Sequence, residues 1–139
     1  MNIQIFEEDR KLPSFFRKKP IYECIRKIVQ SESQKQIAFI SIIFCSDEYL
    51  LHINNTYLQH DYYTDVITFD YSPTHIESDI FISLDRIIEN AEKNSVSLLS
   101  EIQRVIIHGV LHLVGYDDSR EQTKKIMTQK ENYYLDLIP

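Results

Sequence analysis

His108 and His112 lie four residues apart in the run Ile-Ile-His108-Gly-Val-Leu-His112-Leu-Val-Gly115-Tyr-Asp117-Asp118. On an α-helix that spacing puts two imidazoles on one face, one turn apart. Gly115 offers a place for the helix to stop, and Asp118 follows three residues later. Two nitrogens from one helical turn plus a third donor from the reversed chain make a three-ligand site for a divalent metal with an open position. Such a site suits hydrolytic chemistry, because a metal in it would lower the pKa of a coordinated water and polarise a phosphoryl or carbonyl oxygen.

The third donor has two neighbouring candidates, Asp117 and Asp118. The Gly-x-x-Asp spacing favours Asp118, which leaves Asp117 to orient a ligand or to cap the last helix. A His/His/carboxylate set suits zinc first, with nickel, manganese or iron accepted by the same donors. The residue after His108 is Gly109. Zinc peptidases of the His-Glu-x-x-His pattern carry their general base at that position, so its absence speaks against peptide hydrolysis. Phosphodiester cleavage needs no such base if a cation steadies the phosphate. His52, His60 and His75 are scattered and read as surface or loop histidines.

The elements that must position these groups follow from the pattern of apolar residues. Leu98–Gly115 is apolar nearly all round, which predicts a buried helix. One polar stripe crosses it at spacings of three and four: Glu101, Arg104, His108 and His112. Two imidazoles in such a helix are costly unless something satisfies them, and a metal does so directly. Gly109 falls on the side of Ile102, Ile106 and Leu113, where it permits close packing against a neighbour.

Upstream, Asn2–Phe6 alternates as a strand. Pro20 suits the first turn of a helix reaching about Gln34, and Ile37–Cys45 reads as a buried strand. Ser46 can cap a helix through about Leu58. Thr64–Phe69 and Ser78–Leu84 are the next strands, separated by turn chemistry around Pro73, and a helix follows near Asp85–Asn94. Ser119 with Gln122 fits a capping box for the last helix. Residues 1–139 therefore read as one α+β domain, with a small mixed sheet of about four strands packed with helices.

At 139 residues and 43% apolar content the chain can bury a core of its own. It carries no apolar run of membrane-spanning length and no secretory leader, and Cys24 and Cys45 stand apart as reduced thiols. The expectation from these features is a cytoplasmic protein without a membrane partner. A net charge of −6 argues against broad, charge-driven nucleic-acid binding. Residues 1–36 nevertheless hold eight Lys/Arg against five Asp/Glu, and Arg17, Lys18, Lys19, Arg26 and Lys27 can form a local basic face or simply a solvated one.

Over roughly Asn54 to Tyr134 the chain resembles the YbeY family of bacterial endoribonucleases. The family's His-Gly-x-Leu-His-Leu-x-Gly-Tyr-Asp-His is met by His108 to Asp118. Its Thr-Asp-Val-Leu-Ser-Phe strand is met by Thr64 to Phe69, and its Gly-Asp-Ile by Ser78-Asp79-Ile80. Met127 and Glu131 sit where its last helix has a similar pair. The resemblance implies a zincin-like metal-binding helix and one divalent metal, Zn2+ first, held by His108, His112 and Asp118. It further implies single-strand endoribonuclease action on ribosomal RNA in late 30S assembly, small-subunit 3′ end maturation and RNA quality control. The partners it implies are the small ribosomal subunit and its proteins, with no nucleotide cofactor.

Two departures stand out. The family's third ligand is His where this chain has Asp118, and a carboxylate cancels one unit of the metal's charge and weakens its Lewis acidity. The family's Asn-x-x-Tyr helix continues with Arg, a phosphate contact, where Asn54 to Tyr57 is followed by Leu58. Arg104, one turn before His108, is the candidate substitute beside His108 in catalysis; a salt bridge to Glu101 or another acid is its other reading. The alternatives to a ribonuclease are an assembly factor whose metal site is structural, and a zincin-like hydrolase of other substrates.

Overall fold

The computed structural model describes residues 2–139. Its elements run β1 (Ile3–Glu7), α1 (Lys18–Glu32), β2 (Ile37–Cys45), α2 (Asp47–Leu58), β3 (Val66–Asp70), β4 (Ile76–Ser83), α3 (Leu84–Lys93), α4 (Leu98–Leu113) and α5 (Glu121–Asp136). The four strands form one mixed sheet in the order β1-β2-β4-β3. β1 and β4 both run parallel to the central β2, in registers such as Ile5↔Ile42 and Ile42↔Ile80. β3 closes the sheet as an antiparallel edge, with Thr68 opposite Ile80. This is the expected α+β class.

Side chains alternate across the sheet, and each face has its own cover. Ile3, Ile5, Ile40, Ile42, Ile80 and Ile82 point to one face and pack with Ile25 and Ile28 of α1 and with Ile102, Ile106 and Val110 of α4. Each such side chain contributes about 1.5–3 kcal/mol by leaving water. On the other face Cys45 and Ile67 meet Leu50 and Ile53 of α2. α4 is thus the central helix, with the sheet on one side and α1, α3 and α5 around it, which explains why its sequence is apolar on nearly every side.

At Gly109 α4 packs tightly against the sheet. A Cβ at that position would stand 3.1 Å from Ile80 Cγ2 and 3.7 Å from Thr68 Oγ1. The close packing expected of Gly109 is therefore against β4 and β3. Ser46 caps α2 as expected, its Oγ accepting from the Tyr49 N–H at 3.1 Å. Cys24 and Cys45 are buried free thiols.

Several boundaries differ from the sequence reading, among them β3, which runs Val66–Asp70 rather than Thr64–Phe69, and three of the others have a clear physical cause. β4 begins at Ile76, not Ser78, because its parallel neighbour extends the ladder, pairing Ile37 with Ile76 and Phe39 with Glu77. Leu84 belongs to α3 rather than β4, since the Ser83 hydroxyl accepts from the Arg86 N–H at 3.2 Å and starts the helix there. The last helix is capped at Arg120, not Ser119. The Thr123 hydroxyl accepts from the Arg120 N–H at 3.0 Å, while the Ser119 hydroxyl turns back to donate to Asp117 Oδ1 at 3.2 Å.

Candidate metal centre

α4 ends at Leu113, and Gly115 reverses the chain with φ +107°, a conformation that a side chain would resist. The Gly115 N–H donates to the His112 carbonyl at 3.1 Å and the Tyr116 N–H to the Leu111 carbonyl at 3.0 Å. These two bonds are the Schellman closure. The reversal carries the chain back over the last turn of α4 and sets Asp118 beside both histidines. Asp118 Oδ2 lies 3.4 Å from His108 Nε2, and Oδ1 lies 3.7 Å from His112 Nε2. The two Nε2 atoms are 3.0 Å apart. One ligand atom from each of the three residues falls within 4.8 Å of the others.

What stands behind each imidazole decides which nitrogen faces this cluster. His108 Nδ1 is 2.6 Å from Glu131 Oε2, and His112 Nδ1 is 2.9 Å from the Tyr116 carbonyl oxygen. A carboxylate and a carbonyl only accept, so each Nδ1 carries the hydrogen and donates it. Both Nε2 lone pairs then point at one another and at the Asp118 carboxylate. Two neutral acceptors 3.0 Å apart repel unless a proton or a cation lies between them. Donor type, tautomer and convergence all fit a divalent metal, with a backing hydrogen bond on each histidine of the kind that orients metal ligands.

The titration of the pair reflects the same geometry. Burial pushes His108 down, but the hydrogen bond and charge of Glu131, with Asp118 and Asp65 adding to them, hold it above the ordinary imidazole value. His112 lies below that value, through burial and then the neighbouring charge of His108. Burial raises Glu131, yet its bonds from His108 and Arg104 outweigh that and keep it ionised below the usual glutamate range.

The tether on His112 extends further. The Tyr116 hydroxyl donates to Glu32 Oε1 at 2.6 Å, and Glu32 also accepts from Tyr134 and, at 3.0 Å, from Lys130 Nζ. The end of α1 therefore holds the residue whose carbonyl holds His112.

Arg104 points to Glu131 rather than Glu101: Nη1 donates to Glu131 Oε1 at 2.9 Å and Nη2 to Asn132 Oδ1 at 2.7 Å. About a third of its side chain remains exposed. With Asp65, Glu101, Val105, His108 and Glu131 it lines a cavity of about 150 Å3. Glu101 is buried, which pushes its carboxyl up. A second cavity of about 340 Å3 opens on the other side, between His112, Leu113 and the β3 residues Val66, Thr68 and Asp70. Asp117 is exposed and accepts from the Ser119 N–H and hydroxyl, so in this structure it braces the turn into α5. His52, His60 and His75 are exposed and lie outside the cluster.

Sequence reading missed the role of Glu131 as the acceptor behind His108. Its match to the family's last helix was the only signal, because no local spacing links residues 23 positions apart.

The α+β domain thus carries a helix-borne His/His/carboxylate donor set that could hold a metal ion. Residues 2–138 match the family model described as Endoribonuclease YbeY. The chain is 44% identical over 140 residues to the Endoribonuclease YbeY of Parabacteroides distasonis, covering all of this chain and 97% of the relative. It is 45% identical over 129 residues to that of Bacteroides thetaiotaomicron, covering 92% and 93%. The solution structure of a Thermotoga maritima protein is also similar, with a TM-score of 0.67 at 26% identity over 98% of this chain and 88% of the other. The chain belongs to the endoribonuclease YbeY family.

Proposed function

We propose that residues 1–139 form one metal-dependent endoribonuclease domain in which His108, His112 and Asp118 hold a single divalent ion, zinc first. Family membership makes the chain a ribonuclease, a hydrolase of phosphodiester bonds. The observation that carries the metal reading is the convergence of two Nε2 lone pairs and a carboxylate, each histidine backed by its own acceptor. What a divalent ion supplies there is Lewis acidity toward a phosphoryl oxygen and a more acidic water.

The remaining chemistry belongs to the side chains. Glu131 holds the Nδ1 hydrogen of His108 and so keeps Nε2 turned to the cluster. Asp118 adds a negative charge, which strengthens metal holding and moderates Lewis acidity. Arg104 stands in the cavity beside His108 and, part-exposed, is the cation nearest an incoming phosphate from that side. To act there it shares its guanidinium between Glu131 and the phosphate, using the N–H groups that Glu131 and Asn132 leave over.

The substrate in this reading is ribosomal RNA, cut near the small-subunit 3′ end during late 30S assembly in the cytoplasm and presented by the subunit and its proteins. The family resemblance supports this, and the acidic net charge favours a presented substrate over unaided capture of RNA. No helix among the described residues is long and apolar enough to cross a membrane.

One observation favours a second reading, an assembly factor with a structural metal: the charge of Arg104 is already taken up by Glu131. A hydrolase of the peptidase type is disfavoured, because position 109, packed against Ile80, is a glycine and supplies no carboxylate base. The deciding experiment compares wild type with His108→Ala for cleavage of single-stranded RNA, both prepared identically. Loss of cleavage in the variant supports the enzyme. An inactive wild type that is destabilised by the same change supports the structural site.

A further inference from the structure

The cavity beside His112 does not end at Thr68. Val66 and Thr68 also line a neighbouring cavity of about 220 Å3, reached around the outer edge of β3, whose other walls include Leu58, His60, Tyr62 and Thr64. None of the residues lining this second cavity carries a formal charge with His neutral, and the only carboxylate of the first is Asp70. A phosphate has no cation to meet there. The cavity offers an apolar wall and aromatic faces instead.

Those aromatics are held in place. The rings of His60 and Tyr62 stack with centroids 5.1 Å apart and planes 18° from parallel, and the Tyr62 hydroxyl lies 3.0 Å from His60 Nδ1. Tyr62 is nevertheless 56% exposed. Its backbone carbonyl accepts from Nδ2 of Asn54, which is almost fully buried. The His60 N–H donates to the Asn54 carbonyl at 3.1 Å, past Gln59, which takes φ +57° to end α2. Holding a non-glycine residue in the left-handed region costs about 1 kcal/mol or more, and the result is a fixed, solvent-facing aromatic pair next to the candidate active site.

We propose that this second cavity takes an unpaired nucleobase of the RNA, stacked against the His60–Tyr62 pair, while the adjoining phosphodiester lies at the cluster of His108, His112 and Asp118. The inference rests on the endoribonuclease reading and adds the means of holding substrate. Stacking on aromatic faces is tolerant of sequence and demands unpaired bases. It also suits a protein of net charge −6, because it does not depend on neutralising phosphates.

The test is an anisotropy titration of the full chain with a labelled single-stranded oligoribonucleotide, a matched duplex, and the same oligomer carrying abasic residues. Tyr62→Ala should weaken single-strand binding about tenfold, by a similar factor at low and raised salt, whereas Tyr62→Phe, which keeps the ring, should stay within about twofold. Abasic replacement should weaken wild-type binding and erase the Tyr62→Ala penalty; this arm needs no folded variant. A wild type that cleaves RNA yet binds base-bearing and abasic oligomers equally overturns the base pocket and leaves the ribonuclease reading standing. A wild type that neither binds nor cleaves single-stranded RNA removes both.

Discussion

Glu131 Oε2 stands 2.6 Å from Nδ1 of His108, so a carboxylate on the last helix fixes which nitrogen of a histidine on α4 faces the cluster. The same carboxyl group receives Arg104 on its other oxygen at 2.9 Å. One buried side chain therefore sets the tautomer of a proposed ligand and restrains Arg104, which lines the cavity beside His108.

Replacing this carboxylate tests its part directly. Glu131→Gln keeps the size of the side chain but weakens the pull on the Nδ1 hydrogen, so metal affinity should fall by about tenfold to a hundredfold. Competition with a chromophoric chelator measures it. Unchanged affinity would mean that His108 is oriented by packing alone.

Gly109→Ala places a methyl 3.1 Å from Ile80 Cγ2, where α4 packs on the sheet. Overpacking of this kind costs about 1–3 kcal/mol, against a helix-propensity gain of about 1 kcal/mol. A net loss of about 1 kcal/mol in chemical denaturation is expected. A more stable variant would show that the sheet yields freely there.

Gly115→Ala meets no neighbour within 4 Å, so its whole cost is conformational. Forcing a side chain into φ +107° should destabilise by about 1–2 kcal/mol and, because the turn presents Asp118, weaken metal binding as well. A loss of stability with metal affinity intact would separate Asp118 from the geometry of the turn.

Glu32 gives a pH signature. Burial raises its pKa, but the bonds from Tyr116, Tyr134 and Lys130 win and hold it below the ordinary glutamate value of 4.5. A depressed folded value means the stabilising contribution is complete above 4.5 and is lost as pH falls through the lower folded value. Thermal melts of wild type and Glu32→Gln should therefore differ most near neutral pH and converge in acid. A gap that widens in acid would contradict the assignment.

Much of this site can be read along the chain because it is local. The i, i+4 histidines, the glycine stop and Asp118 occupy eleven residues, and helical periodicity with one φ > 0 turn brings them together. The apolar girth of α4 likewise announces a helix buried on several sides. What stays hidden is the support from distant segments. Glu131 and Glu32 sit in ordinary polar helix surface as far as periodicity shows, and only the packing of α5 and α1 on α4 turns them inward. The partner of Arg104 follows the same pattern, since local spacing offers Glu101 and tertiary packing supplies Glu131. Strand ends slip for a similar reason: β4 starts at Ile76 because β2 lies alongside it.

Metal content tests the central claim most directly. Elemental analysis of the purified chain should find one divalent ion per wild-type molecule and little in Asp118→Ala or His112→Ala, with folding checked by circular dichroism. A wild type that takes up no ion at any divalent metal supplied, or an Asp118→Ala chain that retains a full equivalent, would contradict the His108, His112 and Asp118 site.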